Sequence, residues 1–487
     1  MALAIMEQLL IDLKQRVDED WLIGYDSGEF TQQAVELYLH LKQKSHRDTP
    51  PKIILAERNP IKFLAGFIAA VAVNCPIFLC NPDWVESEWQ QVFELVQPDL
   101  ILGQEAQAQS KLLNCRGNFN EISRVSANWL LKPTPLPITN YQLPITNSPI
   151  LIPTGGSSGK IRFAIHTWET LIASVSGFKQ YFDVKQVNSF CVLPLYHVSG
   201  LMQFMRSFTT GGRLVILPFK ALELGTTSNI DPGEYFISLV PTQLQRLLQH
   251  KSNWLAEFQT VLLGGAPAWT ELLSTARKYR IRLAPTYGMT ETASQIVTLK
   301  PDDFLQGNNS CGKVLPHAEV TICSPKGEIL DTKNTGNIAI KSNSLFLGYY
   351  PQEKNINTTF QPDDLGYFDE NGYLHIIGRN SNKIVTGGEN VFPSEVEAAI
   401  KSTNLVIDVC VIGLPDRHWG QVVTALYIPK HSKVSTDILK TALEHKLCKF
   451  KRPKYWFPVE SLPRNAQGKV NREKLKKLSM GLIANGS

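Results

Sequence analysis

The sequence has few of the features that mark secreted, zinc-stabilised or membrane-spanning proteins. Its eight cysteines are scattered through 487 residues, the closest pair being Cys75 and Cys80, and no C-x-x-C motif occurs. This usage favours buried thiols in a reducing compartment over a disulfide or zinc framework. The apolar run from Phe63 to Cys80 contains Asn74 and Pro76, so it is too short and too interrupted to cross a membrane.

Charge and the N-terminus exclude two further classes. The net charge of +5, from 49 basic and 44 acidic residues, is too small to argue for a nucleic-acid partner. The stretch from Met1 to Trp21 has apolar residues at helical spacing but lacks the apolar core and cleavage site of a signal peptide, so it predicts an amphipathic helix. We therefore expect a cytoplasmic protein with no transmembrane segment.

The most distinctive stretch is a glycine- and serine-rich loop, Thr154–Lys160, which follows the apolar run Pro149–Pro153. Its backbone N–H groups, hydroxyls and terminal lysine could surround a polyphosphate. The loop is not a Walker A motif, because a threonine holds the first glycine position and Ile161 follows the lysine, and the Rossmann spacing is also absent. Taken alone, the loop is equally compatible with a flexible surface turn.

Alternating apolar strands and helices predict an α/β fold. Lys52–Ala56 and Pro76–Cys80 read as short buried strands on either side of an apolar helix, Pro60–Val73. This β-α-β rhythm is typical of an open, largely parallel sheet. In contrast, Cys311–Lys341 alternates short strands with tight turns, which predicts a small antiparallel unit.

These patterns predict two domains. We expect a large N-terminal α/β domain with stacked sheets over residues 1–379, including a β-rich subdomain at about 311–379, and a small mobile α+β domain over residues 380–487. The proline-rich stretch 133–148, in which Leu-Pro-Ile-Thr-Asn occurs twice, predicts an exposed loop insertion.

Three predicted strands end in small, polar or aromatic clusters, at Tyr196–His197, Gly264–Gly265 and Tyr287–Thr292. Ligands of open α/β sheets bind at the carboxyl ends of the strands, so the three clusters together predict one pocket. His197 alone would more commonly be a hydrogen-bonded histidine at the edge of the core. Arg206 lies on an apolar helix, where it either reaches the surface or binds a carboxylate in a cavity.

The order of the motifs resembles the adenylate-forming superfamily of acyl- and aryl-CoA synthetases, firefly luciferase and peptide-synthetase adenylation domains. The likeness runs from about residue 50 to 475, and after the glycine loop it is carried by Tyr287–Thr292, Asp364–Tyr367, Gly378–Arg379, Gly387–Glu397 and Asn465–Lys469. Within the superfamily, the chain most resembles the o-succinylbenzoyl-CoA synthetases of menaquinone and phylloquinone biosynthesis. That closer likeness is carried by Pro194–Gly200, Arg206, Tyr287–Thr298 and Gly387–Pro393.

The resemblance implies a two-step ligase reaction. A substrate carboxylate would attack the α-phosphorus of Mg-ATP and expel pyrophosphate, and the thiol of coenzyme A would then displace AMP to give a thioester. An anion attacks an anion in the first step, so the site must neutralise charge and hold the reactants in line. The implied ligands are ATP, Mg²⁺, coenzyme A and a small carboxylate, bound by a monomer or a small homo-oligomer.

The resemblance also implies roles for individual residues. The phosphates would be held by Thr154, Gly155, Gly156, Ser157, Ser158, Gly159 and Lys160, the adenine by Gly265, Ala266, Pro267, Tyr287 and Gly288, and the ribose by Asp364 and Arg379. Glu291 would bind Mg²⁺, and the catalytic residues would be Lys469, Thr290 and His197. The acid would contact His197, Arg206, Gly264 and Gln295, with Arg206 taking a second carboxylate, while Gly387 and Gly388 would shape the coenzyme A tunnel and Ser381 would mark the hinge.

The chain departs from the superfamily pattern in two places, which leaves the hinge position and the charge of the glycine loop open. Many relatives carry Asp or Lys at the hinge position of Ser381, and relatives usually continue the glycine loop as Lys-Pro-Lys-Gly, where this chain has Arg162 in place of the second lysine. One alternative is a different aryl- or fatty-acyl-CoA ligase. Another is a nucleotide-binding scaffold without catalysis. The residues that argue against it are the intact Glu291, Asp364, Arg379 and Lys469.

Overall fold

A computed structural model of the chain describes residues 9, 13, 15–44, 50–112, 148–155, 161–226, 229–351, 359–387, 389–464 and 470–485. The predicted insertion at 133–148 lies outside these residues except for Ser148. Most of the predicted N-terminal helix lies outside them as well, although Leu9, Leu13 and Gln15 are helical.

Short strands alternate with helices through the first two thirds of the chain. The strands are β1 (Leu22–Ile23), β2 (Ile53–Leu55), β3 (Ile77–Leu79), β4 (Leu100–Leu102), β5 (Ile150–Gly155), β6 (Ile161–His166), β7 (Asn188–Cys191), β8 (Leu214–Ile216), β9 (Tyr235–Leu239), β10 (Thr260–Leu263), β11 (Leu283–Met289), β12 (Ser294–Thr298), β13 (Lys313–Val314), β14 (Ala318–Cys323), β15 (Gly336–Ser342), β16 (Asp364–Phe368), β17 (Leu374–Arg379), β18 (Ile384–Thr386), β19 (Glu389–Val391), β20 (Val406–Asp416), β21 (Gly420–Pro429) and β22 (Tyr455–Pro458). The helices are α1 (Ser27–Lys44), α2 (Pro60–Ala72), α3 (Glu86–Val96), α4 (Gln104–Leu112), α5 (Trp168–Phe182), α6 (Val198–Thr210), α7 (Phe219–Glu223), α8 (Pro241–His250), α9 (Ser252–Glu257), α10 (Thr270–Lys278), α11 (Pro301–Leu305), α12 (Pro393–Lys401), α13 (Thr436–Ala442) and α14 (Arg472–Asn485).

Two large sheets form the N-terminal part. One has the order β1-β8-β7-β9-β10-β11-β12-β13 and is parallel from β1 to β11. The other has the order β4-β2-β3-β5-β6 and is parallel except for the β5–β6 hairpin. Strands such as β2, with the sequence Ile-Ile-Leu, are buried on both faces: Ile53 and Leu55 belong to a core that contains α2, and Ile54 belongs to a second core with residues of α3 and α4.

The two sheets share a core around α2. Asn59 begins this helix by accepting hydrogen bonds from the Ile61 and Lys62 N–H groups at 2.9 and 3.1 Å, and Pro60 occupies the first turn, where no N–H partner is needed. Almost every later residue of α2 is apolar and buried, in one cluster with residues of both sheets such as Ile53 and Leu214. The predicted stacking of sheets is confirmed.

The smaller units are β-rich. Strands β14 to β17 form an antiparallel sheet whose register places Asp364 opposite Arg379. In the C-terminal part, β19-β18-β21-β20 form a sheet with β22 beside β21, and α12 and α14 cover its two faces through residues such as Val396 and Leu475. The predicted fold class is confirmed, while the domain boundaries and the mobility of the C-terminal part stay predictions. Among the described residues, no helix combines the length and the apolar character that a membrane crossing requires.

One predicted strand is shorter than expected. The apolar run through Leu195 predicts a strand over residues 190–195, but β7 ends at Cys191. Pro194 has no N–H for a sheet, and its carbonyl accepts the N–H of His197 at 3.1 Å in a turn. His197 therefore begins α6 rather than directly following a strand.

Candidate active site

A short 3₁₀ turn, Thr290–Thr292, lies just after β11 and is held from three directions. Its successive carbonyls accept hydrogen bonds from His166 Nε2 at 2.7 Å, from the Phe346 N–H at 2.9 Å and from Ser344 Oγ at 3.0 Å. Burial lowers the pKa of His166 to about 4, so its ring is neutral near pH 7. Because a carbonyl only accepts, Nε2 must carry the proton. These three hydrogen bonds fix the backbone of the turn and therefore set the directions of the Thr290 and Glu291 side chains.

Glu291 is the buried carboxylate of this turn. It is 9% exposed, and its Oε1 accepts a hydrogen bond from the Tyr349 hydroxyl at 2.6 Å and a longer one from Thr154 Oγ1 at 3.4 Å. Thr154, the first residue of the glycine loop, lies in the last part of β5. The structure therefore brings the predicted metal ligand to the base of that loop. Residues 156–160 of the loop lie outside the described residues.

A second group joins Tyr287, Asp364 and Arg379. The Tyr287 hydroxyl donates to Asp364 Oδ2 at 2.8 Å, and Arg379 Nε donates to Asp364 Oδ1 at 3.2 Å. Burial first, and then the neighbouring carboxylate, raise the pKa of Tyr287, so the phenol stays a donor. Each carboxylate oxygen of Asp364, which is 7% exposed, keeps a second lone pair that could accept from a ribose hydroxyl.

Glycines bring the predicted adenine-binding segments together. A Cβ at Gly264 would lie 2.5 Å from Thr286 Oγ1, and a Cβ at Gly288 would lie 2.1 Å from the Ser294 carbonyl oxygen, so neither position tolerates a side chain without movement. Gly265 has a φ of +80° and begins an exposed segment that continues through Ala266 and Pro267. This segment follows β10, next to Tyr287 on the neighbouring strand β11.

Arg206 points inward rather than to solvent. It is 3% exposed, its guanidinium stacks 4.2 Å from the Phe178 ring centroid, and its Nη2 donates to Ser294 Oγ at 2.8 Å and Gln295 Oε1 at 2.7 Å. No carboxylate among the described residues forms an ion pair with it, and burial lowers its pKa to about 9. A buried cation without a counter-ion is costly and attracts an anion. His197, at the start of the same helix, is half-buried and packs against Tyr196.

Further polar atoms near Arg206 have no hydrogen-bond partner among the described residues. These buried atoms are Arg206 Nε, Gln295 Nε2 and both ring nitrogens of His317. His317 packs against α5 at Gly177, where a Cβ would lie 1.8 Å from its Nδ1. Burial, and then the charge of Arg206, lower the pKa of His317 to about 4. Together these groups form a buried polar cluster whose net charge is the single positive charge of Arg206.

The other predicted residues lie in the C-terminal part of the chain. Lys469 and Gly388 lie outside the described residues. Gly387 is exposed in the turn after β18, with a φ of +57° and its N–H bonded to the Trp419 carbonyl at 2.9 Å. Ser381 follows β17, and its N–H bonds to Asp363 Oδ2 at 3.0 Å, so the predicted hinge position lies close to the ribose-side carboxylates. Its role as a hinge stays a prediction.

Comparison with known proteins agrees with this geometry. The model of the AMP-binding enzyme family matches residues 28–350, and that of the AMP-binding enzyme C-terminal domain matches residues 395–469. The chain belongs to the AMP-binding enzyme family. The resemblance inferred from the motifs is confirmed.

Two curated relatives carry the same name. The 2-succinylbenzoate–CoA ligase of Listeria monocytogenes serovar 1/2a is 36% identical over 335 residues, covering 66% of this chain and 68% of that protein. The 2-succinylbenzoate–CoA ligase of Oceanobacillus iheyensis is 29% identical over 435 residues, covering 87% of each chain. Among solved structures, o-succinylbenzoate CoA synthetase (MenE) from Bacillus subtilis in complex with the acyl-adenylate intermediate OSB-AMP matches with a TM-score of 0.83 at 26% identity, covering 96% of this chain and 97% of that one. The same enzyme with ATP and a magnesium ion matches with a TM-score of 0.82 at 25% identity, covering 96% of this chain and 99% of that one.

For an AMP-binding enzyme, the donor set fits a magnesium ion that arrives with the nucleotide. Within the described ranges, no cluster of three or more His, Cys, Asp or Glu side chains is placed to hold a metal. Mg²⁺ usually keeps several waters and takes one or two carboxylates together with substrate phosphates, which the single buried carboxylate Glu291 can satisfy.

Three side chains near the site of this AMP-binding enzyme were not expected from its sequence. His166, Tyr349 and His317 were not predicted as site residues, yet the first two contact the Thr290–Thr292 turn and the third lies near Arg206. A signal existed for His166, because a histidine ends the apolar run Phe-Ala-Ile, which two residues separate from the glycine loop. Tyr349 and His317 lie in loops whose sequence carries no comparable signal.

Proposed function

We propose that this chain is an ATP-dependent acid–thiol ligase that converts 2-succinylbenzoate to 2-succinylbenzoyl-CoA through an acyl adenylate. The observation that carries the substrate assignment is Arg206, a buried cation with no carboxylate partner in the described part of the chain. Such a group suits a substrate with a second carboxylate beyond the one that is activated. The names of the curated relatives support the same acid. The reaction would take place in the cytoplasm, where ATP and coenzyme A are available.

In the first step, the substrate carboxylate oxygen attacks the α-phosphorus of ATP, and the bond to pyrophosphate breaks. Asp364 and Arg379 would hold the ribose, and Thr290 would donate to the α-phosphate from a turn whose carbonyl His166 has fixed. Glu291 would hold the magnesium ion that neutralises phosphate charge. Lys469 would bridge the attacking carboxylate and the α-phosphate, where a point charge stabilises developing negative charge.

In the second step, the thiol of coenzyme A loses its proton, its sulfur attacks the acyl carbon, and AMP leaves. Lys469 would withdraw, and the turn containing Gly387 would approach to shape the pantetheine tunnel. In this structure α12 packs on β17, with Ser394 Oγ donating to the Ile377 carbonyl at 3.1 Å, so such a movement would break this contact.

The test is pyrophosphate release from ATP across a panel of acids, with and without coenzyme A. We expect turnover selective for 2-succinylbenzoate over 4-oxo-4-phenylbutanoate, benzoate and decanoate, with AMP and thioester formed only when coenzyme A is present. Preference for a monocarboxylic acid would retain the ligase and refute the substrate. Absence of turnover with every acid would refute the ligase itself.

A further inference from the structure

The segment 347–350 pairs with β6 beside the glycine loop. The Leu347 N–H bonds to the Ile165 carbonyl at 2.8 Å, and the Tyr350 N–H bonds to the Phe163 carbonyl at 2.9 Å. This pairing sets Tyr349 opposite Ala164, in the strand that leads away from the loop. This pairing therefore fixes the backbone position of Tyr349, from which its side chain extends.

Tyr349 makes two contacts with charged groups. Its hydroxyl donates to Glu291 Oε1 at 2.6 Å, and its ring lies 4.6 Å from the guanidinium carbon of Arg162. Burial, followed by the charge of Glu291, raises the pKa of the Tyr349 hydroxyl, so it remains a proton donor near pH 7. One side chain thus touches both the proposed metal ligand and a neighbouring arginine.

Arg162 is placed to meet an anion. It is the β6 partner of Thr154, so both side chains emerge on the same face of the hairpin, and Thr154 contacts Glu291. Arg162 is exposed, and within the described residues no carboxylate forms an ion pair with it. An arginine that a ring holds in place retains all its N–H donors for a phosphate.

We propose that Arg162 binds the β- or γ-phosphate of ATP and that Tyr349 is a positioning residue for both Arg162 and Glu291. The proposal rests on the proposed function, because it assumes that ATP occupies this site. The Tyr349 ring would stack against the Arg162 guanidinium, and its hydroxyl would hold the Glu291 carboxylate. One side chain would then position both the cation that binds the phosphates and the ligand of the magnesium ion.

The test is calorimetric binding of Mg-ATP, magnesium pyrophosphate and AMP to the full-length chain. Arg162→Gln should weaken Mg-ATP and pyrophosphate by about 10- to 100-fold, the usual range for losing charge-assisted phosphate bonds, and should change AMP by less than about twofold. Arg162→Lys keeps the charge but not the planar stack, so we expect a smaller loss. The matched control is Arg246→Gln. Arg246 is an exposed arginine on α8 that, among the described residues, forms an ion pair only with Glu223, at 3.7 Å, so its substitution should change none of the three affinities.

Variants of Tyr349 separate its two roles. Tyr349→Phe keeps the ring under Arg162 and removes the bond to Glu291, so it should raise the magnesium concentration needed for half-maximal ATP binding while leaving metal-free pyrophosphate binding unchanged. Tyr349→Leu removes both contacts, so it should weaken both the magnesium-dependent binding of ATP and the metal-free binding of pyrophosphate. Thermal unfolding of each variant checks that the fold is intact.

Two results would overturn the inference. Equal weakening of Mg-ATP and AMP by Arg162→Gln would mean that Arg162 acts through the fold and not on the outer phosphates, and unchanged Mg-ATP affinity would mean that it does not contact them. Failure of the unsubstituted chain to bind ATP at all would instead refute the proposed function, so the two failures are distinguishable.

Discussion

Replacing Arg206 with methionine should separate substrate recognition from stability. Burial lowers the pKa of Arg206 from 12.5 to about 9. A difference of that size corresponds to about 5 kcal/mol against the charged form. The stack on Phe178 and the bonds to Ser294 and Gln295 offset part of this cost. Methionine has a similar length and no charge. We therefore expect the free energy of unfolding of the substrate-free variant to equal that of the unsubstituted chain or to exceed it by about 1–3 kcal/mol.

In contrast to its effect on stability, the same substitution should be unfavourable for turnover of the substrate. The substitution removes the buried charge pair between Arg206 and the second carboxylate of the substrate. The loss of such a pair typically costs about 2–4 kcal/mol. We therefore expect kcat/KM for 2-succinylbenzoate to fall by about 30- to 1,000-fold. For 4-oxo-4-phenylbutanoate, which lacks one carboxylate, the change should stay within about threefold.

The assay is pyrophosphate release with each acid, combined with urea unfolding. The control is Arg277→Met, because Arg277 also stacks on a ring, 4.4 Å from the Phe304 centroid, but donates to the Phe304 and Asn308 carbonyls away from the site. This control should lower stability without changing the preference between the two acids. Equal loss with both acids, or strong destabilisation by Arg206→Met, would refute the reasoning and make Arg206 a structural residue.

Three further predictions concern the nucleotide and the fold. Lys469→Ala should abolish adenylation and spare thioester formation from a supplied acyl adenylate, and equal loss of both half-reactions would contradict the assigned role. Asp364→Asn should weaken ATP and AMP binding alike, by about tenfold, since the ribose is common to both; a loss confined to ATP, measured by calorimetry, would contradict it. His166 and His317 each have a pKa of about 4, below the ordinary 6.5, so the unfolded chain binds protons that the folded chain does not. The free energy of unfolding should therefore fall as the pH falls from about 6.5 to 4, by at most about 3 kcal/mol for each histidine. Urea unfolding at pH 7 and pH 5 checks this, His317→Gln should flatten the profile, and equal stability at both values would contradict the burial of the neutral rings.

Much of the architecture could be predicted from the sequence because its signals are local. Short apolar runs such as Ile53–Leu55 indicated the parallel strands, and the strand ends at Gly264 and Tyr287 belong to the neighbouring strands β10 and β11. The motif order was specific enough to predict the family. The end of β7 at Cys191 was predicted less well, because an apolar run does not reveal that Pro194 forms a turn.

By itself, then, the sequence determined the strand and helix pattern, the family, and the candidate groups for phosphate, ribose and metal. Only the tertiary structure decided that Arg206 faces inward, that His166 holds the Thr290–Thr292 turn, and that Tyr349 binds the Glu291 carboxylate. These contacts join residues far apart in the chain, such as Arg206 with Gln295 across 89 positions and His166 with Thr290 across 124. Periodicity encodes which residues are buried but not which partners they meet, and the partners are set by how the two sheets stack.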